Sequence, residues 1–213
     1  MQWPTTIEDA TAVQLQLRDR VIRDDQFEPF RTVAGVDVGF EQEGTITRAA
    51  VAVLDGQTLQ LIDYALARQP TRFPYVPGYL SFREVPAVLE AYDKLRAKPD
   101  LLLCDGQGTA HPRQFGIACH LGVLLDLPSV GVGKSRLVGR YQEVPDERGA
   151  WQPLYYQRDI IGGVLRTRVG TKPLFISTGH RVSLETAIRL VMHCAPKYRL
   201  PETTRQAHKL ASG

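Results

Sequence analysis

Three strand-like runs succeed one another with links too short to hold a helix. TVAGVDVGF (32–40), RAAVAVLDG (48–56) and LQLIDYALA (59–67) are rich in aliphatic residues, and only EQEGTIT and DGQT join them. Parallel neighbours need a crossover of a dozen or more residues, so strands joined this closely must run antiparallel, as a meander. Asp-Gly in the second link is itself a hairpin signal. A chain that begins its sheet this way has few ways to complete it.

After the meander, helices and strands alternate. A Pro-rich loop, QPTRFPYVPGY (69–79), leads into the helical pattern VPAVLEAYDKLRA (85–97). LLLCD (101–105) is short and apolar throughout, as a strand buried on both faces should be. FGIACHLGVLLD (115–126) reads as a helix and PSVGVGK (128–134) as a fifth strand. IIGGVLRTR (160–168) and PLFIST (173–178) read as two more strands, and SLETAIRLVMHC (183–194) as a helix with Ser183 as N-cap. Residues 8–25 predict an amphipathic first helix, and the tail from Ala195 reads as polar and Pro-broken. A three-strand meander and then helix, strand, helix, strand is the plan of the ribonuclease H-like α/β fold. In it a mixed central sheet, the antiparallel meander plus parallel strands, is flanked by helices. The first strand is central and the fourth lies beside it.

Three acids sit where that plan places sites. Asp37 closes VAGVD, Asp105 closes LLLCD, and Glu84 lies in SFRE ahead of a helical pattern. The ends of strands in an α/β sheet are where sites are built. Three carboxylates brought together repel one another, and hard oxygen donors suit Mg²⁺ or Mn²⁺. The pattern points to metal-dependent hydrolysis of a phosphate ester.

Composition sets outer limits. With 213 residues and 43% hydrophobic content the chain suits one domain spanning 1–213 with a substantial core. No stretch approaches the ~20 apolar residues of a membrane span, and MQWPTTIEDA lacks the basic-then-apolar order of a secretory signal. Cys104, Cys119 and Cys194 are odd in number and form no CxxC pair, so reduced thiols in a cytoplasmic protein are expected. The net charge of +3 hides an asymmetry. Residues 166–213 carry nine Lys and Arg against two Asp and Glu, whereas residues 1–165 carry seventeen against twenty-one. A nucleic acid needs both halves of that arrangement: cations for its phosphates and acids at the scissile one.

Individual motifs leave alternatives open. Ser81 and Glu84 spell a capping box, but that would put Pro86 inside a helix, where it removes a hydrogen bond and clashes. Pro86 is better suited to the first turn, which leaves Glu84 just outside the helix. GVGKS (131–135) falls short of a phosphate-binding P-loop because the required earlier glycine is Pro128. Lys134 still ends a strand beside the acids, either solvated or placed to stabilise charge on a phosphate. In DGQGTAHP, Gly106 and Gly108 either form a tight turn or let backbone approach a ligand. His111 and His180 lie in loops after strands, where a general acid/base could sit, whereas His120, His193 and His208 suit packing or surface roles. FPYVPG (73–78) holds Tyr75 stiffly between Pro74 and Pro77, either as a wedge between bases or as part of a Pro-rich surface loop whose tyrosine packs on the domain.

Taken in order, AGVDVGF, TRAAV, PYVPGYLSFRE, PDLLLCDGQGTAHPR, PSVGVGKSRL, PLFISTGHRVS and YRLPETTR resemble the endonuclease V (deoxyinosine 3′ endonuclease) family from about Thr32 to about Pro201. The resemblance implies a DNA repair endonuclease that recognises deoxyinosine, in single- or double-stranded DNA. It would cut the second phosphodiester bond on the 3′ side with Mg²⁺, or Mn²⁺ in its place, leaving 3′-hydroxyl and 5′-phosphate ends. It implies that Asp37, Glu84 and Asp105 hold the metal and that His180 stands near it. It implies that Tyr75 is the wedge, with Pro74, Pro77, Gly78, Arg83, Gly108 and His111 on the DNA and Lys134 near the scissile phosphate. Gln107 stands where many relatives have His. A monomer is expected. Inosine-containing RNA, or another structure selected by a ribonuclease H-like nuclease, is the alternative substrate. A protein that binds inosine without cutting has no use for clustered acids.

Overall fold

The computed structural model describes residues 3–212. Its centre is one eight-stranded sheet of order β3-β2-β1-β4-β5-β8-β7-β6. Strands β1 (Thr32–Glu41), β2 (Ile46–Asp55) and β3 (Leu61–Pro70) form the antiparallel meander. Asp55 closes the second link by accepting from the Gln57 and Thr58 backbone N–H groups and the Thr58 hydroxyl. Strands β4 (Leu101–Asp105) and β5 (Ser129–Gly133) run parallel to β1. Beyond them β6 (Trp151–Tyr156), β7 (Asp159–Leu165) and β8 (Leu174–His180) add a second antiparallel set, with β8 against β5.

Helices cover both faces. α2 (Leu80–Asp93) and α3 (Ile117–Leu125) enclose one core, where Val85, Val88 and Leu121 meet Ala34, Val36, Leu102 and Cys104. α4 (Leu184–Cys194), capped by Ser183, and α5 (Glu202–Ser212) enclose the other, where Ala187, Val191 and Ala207 meet Val33, Leu101 and Leu103. Successive strand side chains point to opposite faces. The row Leu101, Leu103, Asp105 therefore shares the α5 face with Val33, Gly35, Asp37. Since Val36 pairs with Cys104, the next residues, Asp37 and Asp105, stand side by side where β4 ends and its pairing with β1 stops.

Four local features differ from the plain sequence pattern. α1 spans Ile7–Arg18 rather than 8–25. Beyond it the backbone turns to pair with the end of β8, through Arg181 N–H to the Ile22 carbonyl and Gln26 N–H to the Arg181 carbonyl. β6 is a strand despite Pro153, because it lies at the sheet edge, where a missing N–H costs least. The tail forms α5, whose buried Thr203, Thr204, Ala207 and Ala211 give it an apolar seam. Finally, Pro86 sits inside α2, which makes Glu84 a helical residue. The carbonyl that Pro86 leaves without its i+4 donor is that of Phe82, and the Trp3 indole N–H takes it at 2.7 Å.

Candidate metal centre and base pocket

The acids are positioned from three directions. Asp37 ends the buried part of β1, and α5 lies directly on it. A Cβ at Gly35 would collide with the Thr203 carbonyl, and one at Gly39 would come within 2.7 Å of the Ala211 carbonyl. Four strand residues span about 13 Å at the usual rise and eight helical residues about 12 Å. Strand and helix thus run alongside one another in step, with Asp37 opposite the middle of α5. His208 drops from that helix onto Asp37, Nδ1 to Oδ2 at 2.7 Å. Asp37 Oδ1 accepts from the Val38 N–H at 2.9 Å.

Asp105 ends β4 and forms an ion pair with Lys134, just past the end of β5. Arg199 holds that corner, donating to the carbonyls of Lys134 at 3.0 Å and of Lys172 at 2.6 Å. Burial raises the pKa of Asp105, and Asp37 adds to the rise; the bond from Lys134 opposes it.

Glu84 reaches the acids from α2. Its carboxyl is pushed up to about 8, first by desolvation and then by the charges of Asp37 and Asp105, with Arg83 opposing. The charge of such a carboxylate is one that a neighbouring cation would stabilise. Lys134 and His208 engage the two aspartates, and no residue pairs with Glu84 among the described hydrogen bonds and ion pairs. Among the described residues no three acidic, histidine or cysteine side chains are gathered at metal-ligating spacing. The donor set still fits a hard divalent cation: three carboxylates whose mutual repulsion such an ion would cancel.

A cavity of about 320 Å³ opens beside the acids. Glu84, Asp105 and Lys134 line it together with Gly78, Leu80 and Ile117. Tyr75 stands at its mouth with 68% of its surface exposed. Pro74 and Pro77 flank it and are exposed, while Phe73 anchors the loop in a buried cluster with Phe82.

Several residues expected at the site have other employment. His180 is at the far end of β8: it pairs with Ser129 at the start of β5, whereas Lys134 follows the end of β5. Its ring accepts from the Ile22 N–H and meets Asp126. His208, which pattern alone assigned to the tail, is the histidine that meets an acid of the site. Arg83 turns away from the cavity; its guanidinium lies over the Phe40 ring at 4.2 Å and donates to the Gly44 carbonyl at 3.3 Å. Gly108 is packed on β8, where a Cβ would strike the Thr178 carbonyl, and its N–H donates to the Ser177 hydroxyl. It shapes the turn and does not line the cavity.

His111 lines the cavity but is not free to shuttle protons. It is 3% exposed. Its Nδ1 accepts from the Arg113 N–H, which leaves Nε2–H to donate to the Gly78 carbonyl at 2.9 Å. Burial pushes its pKa down to about 4, so it is neutral. Gln14 and Arg113 donate to the same carbonyl at 3.0 and 2.7 Å. The Gly78 carbonyl is thus saturated from within the protein.

Comparison with known proteins fits this geometry. Residues 15–209 match the family model described as Endonuclease V. The chain is 61% identical to the endonuclease V of Trichormus variabilis over 211 residues, 99% of this chain and 96% of that one. Among solved structures it is similar to endonuclease V from Streptomyces avermitilis, with TM-score 0.94, 48% identity, and coverage of 99% and 93% of the two chains. It is also similar to the Ciona intestinalis enzyme, solved with a 23mer DNA containing an inosine followed by a ribo-adenosine. That match has TM-score 0.85, 26% identity, and coverage of 97% and 95%.

Proposed function

The chain belongs to the endonuclease V family and is a nuclease acting on DNA, and from that premise we propose that it recognises deoxyinosine and hydrolyses the second phosphodiester bond on its 3′ side. The products are a 3′-hydroxyl and a 5′-phosphate. The observation that carries this reading is the continuity of the cavity, which joins Tyr75, Gly78 and Leu80 to Glu84, Asp105 and Lys134 in one space. A base drawn into it would lie beside the acids but not on them, so the cut falls away from the lesion.

Asp37, Glu84 and Asp105 are the residues to hold a divalent cation, Mg²⁺ or Mn²⁺. Bound there, such an ion polarises the phosphate and lowers the pKa of the attacking water. Lys134, paired with Asp105, is placed to neutralise charge on the phosphate once the acids engage a cation. His208 orients Asp37 through their hydrogen bond. Tyr75, stiff and exposed, fills the gap that an extruded base leaves in the stack.

Backbone groups supply the recognition. α2 starts at Leu80 with no side-chain cap, and the first N–H groups of a helix have no partner within it. Leu80 and Ser81 line the cavity. Hypoxanthine presents O6 there as an acceptor; adenine would present an amino group, donor against donor, at about 1–3 kcal/mol for the unpaired group. Because the Gly78 carbonyl is saturated, the acceptor for N1–H must come from elsewhere, and the loop after β4 is the nearer source.

The test is cleavage of end-labelled DNA and RNA, single- and double-stranded, each with one inosine or one adenosine, with Mg²⁺ present. Cutting of inosine-containing DNA two phosphates to the 3′ side is expected. Equal cutting at adenosine, or cutting of RNA alone, would replace this reading by that of a different nuclease on the same fold.

A further inference from the structure

His120 has no assigned part in the site, yet it is a fully confined titratable group near it. It is 0% exposed and held on three sides by aromatic rings. Trp3 stacks on it at 5.3 Å, Phe82 meets it edge-on at 5.1 Å, and Phe115 lies tilted at 5.3 Å. Its Nε2 is buried with no hydrogen-bond partner, and Nδ1 has a single partner, the Ser81 hydroxyl oxygen at 3.1 Å. Burial keeps the ring neutral. Two tautomers are then possible. A proton on Nε2 would leave a buried N–H unpaired, which is rare and costly; a bare Nε2 is the milder defect. The proton therefore sits on Nδ1 and is donated to Ser81.

That fixes what Ser81 can do. Its oxygen accepts from His120, so its own hydrogen must go elsewhere. No protein acceptor for it stands within bonding distance among the described residues. Ser81 is 4% exposed, and the space it opens on is the base cavity. A hydroxyl with its oxygen engaged from behind is a donor with a set direction rather than a free rotor.

We propose that Ser81 is a side-chain hydrogen-bond donor of the base pocket, with His120 as its positioning residue, and that it reads the 6-carbonyl of the bound purine. This rests on the reading of the cavity as a pocket for hypoxanthine and adds a side-chain contact to the backbone ones. A 6-keto purine satisfies the hydroxyl. A purine with hydrogen at C6 leaves it unpaired, and a 6-amino purine sets donor against donor. The aromatic cage around His120 then has a function beyond packing: it excludes water that would otherwise compete for Nδ1.

Three oligonucleotides test it, carrying deoxyinosine, deoxynebularine (hydrogen at C6) or deoxyadenosine at one position. Single-turnover cleavage of each is measured with Mg²⁺ for the wild type, Ser81→Ala and His120→Phe, alongside thermal melting. The wild type should prefer inosine to nebularine. Ser81→Ala should lower that preference about three- to tenfold, the range for losing one neutral hydrogen bond. His120→Phe frees the hydroxyl to rotate and should lower it less, in the same direction. Ser81→Cys, which fills the site with a somewhat larger side chain but only a weak donor, carries the test if the alanine variant melts early. An unchanged preference in the Ser81 variant that melts like the wild type overturns the proposal. A wild type that does not distinguish inosine from adenosine instead overturns the assignment of the cavity itself, so the two failures are told apart.

Discussion

Replacing Glu84 by Gln should abolish cleavage and make the cation-free protein more stable, increasingly so as pH rises. Glu84 has a folded-state pKa near 8 against 4.5 for an ordinary glutamate, because burial and two neighbouring carboxylates disfavour its charge. The folded state then binds more protons than the unfolded one between those values. Stability from this group is full below pH 4.5 and is lost as pH rises toward 8. At pH 7.5 the complete linkage is about 4 kcal/mol, at 1.36 kcal/mol per pKa unit. Glu84 keeps some contact with solvent, which screens the charge, so a realized difference of about 2 kcal/mol is expected. For a chain of this length that is about 4–8 °C in melting temperature. The assay is thermal unfolding of wild type and Glu84→Gln in a chelator at pH 5, 6.5 and 8, then with Mg²⁺ at pH 8. The advantage of the variant should be small at pH 5 and largest at pH 8. Mg²⁺ should raise the wild type and not the variant, since an ion bound only by the folded state stabilises it. A variant advantage that stays constant from pH 5 to 8 would refute the claim that these three acids share one field.

Asp37→Ala and Asp105→Ala should each reduce cleavage below detection while gel-shift affinity for inosine-containing DNA is largely kept; near-normal turnover in either would rule out the metal centre. Tyr75→Ala should weaken discrimination for inosine by about 1–3 kcal/mol, the range for a base stacked on an aromatic, with a milder loss on single strands; a pure loss of turnover at saturating enzyme would make Tyr75 part of the chemistry instead. Gly35→Ala inserts a methyl group against the Thr203 carbonyl and should cost about 1–3 kcal/mol in urea unfolding, with cleavage falling as α5 and His208 shift; wild-type stability would mean α5 is not seated as described.

The order of the strands is legible in the sequence because it depends on link lengths. Two short links force the meander, and its agreement with a known plan places β4 beside β1, which brings Asp37 next to Asp105, as the sheet bears out. Glu84 is legible as an acid of the site but not in its setting. The rule that Pro breaks a helix is a rule about one carbonyl, and here the Trp3 indole, 79 residues away, supplies the missing donor. Nothing local to Pro86 announces that. The surroundings of Arg83 and Gly108 are hidden from the sequence for a related reason: a motif gives the company a residue keeps in sequence, whereas the Phe40 ring and the Thr178 carbonyl that engage them come from other strands.

The histidine beside Asp37 could have been approached from β1 itself. Gly35, Asp37 and Gly39 point to one face of one strand, and glycine is disfavoured inside a strand unless something lies close against it. Two glycines bracketing an acid on the same face say that a backbone passes directly over that acid. They exclude a bare, solvent-facing Asp37. They also imply a second element long enough to cover about 13 Å, which a single helix of about nine residues supplies. His180 fails this condition, since it ends a strand and belongs to the sheet rather than to a covering layer. A segment with small residues eight apart and a histidine between them satisfies it, and Thr203, His208 and Ala211 are such a segment. The polar, Pro-interrupted look of the tail conceals this, because α5 needs only a narrow seam of Thr and Ala to lie against glycines. The periodicity is nonetheless present: Thr203, Thr204, Ala207, Leu210 and Ala211 fall on one side of α5 and Arg205, His208, Lys209 and Ser212 on the other, and it is the low aliphatic content of the tail, not a missing pattern, that hides the helix.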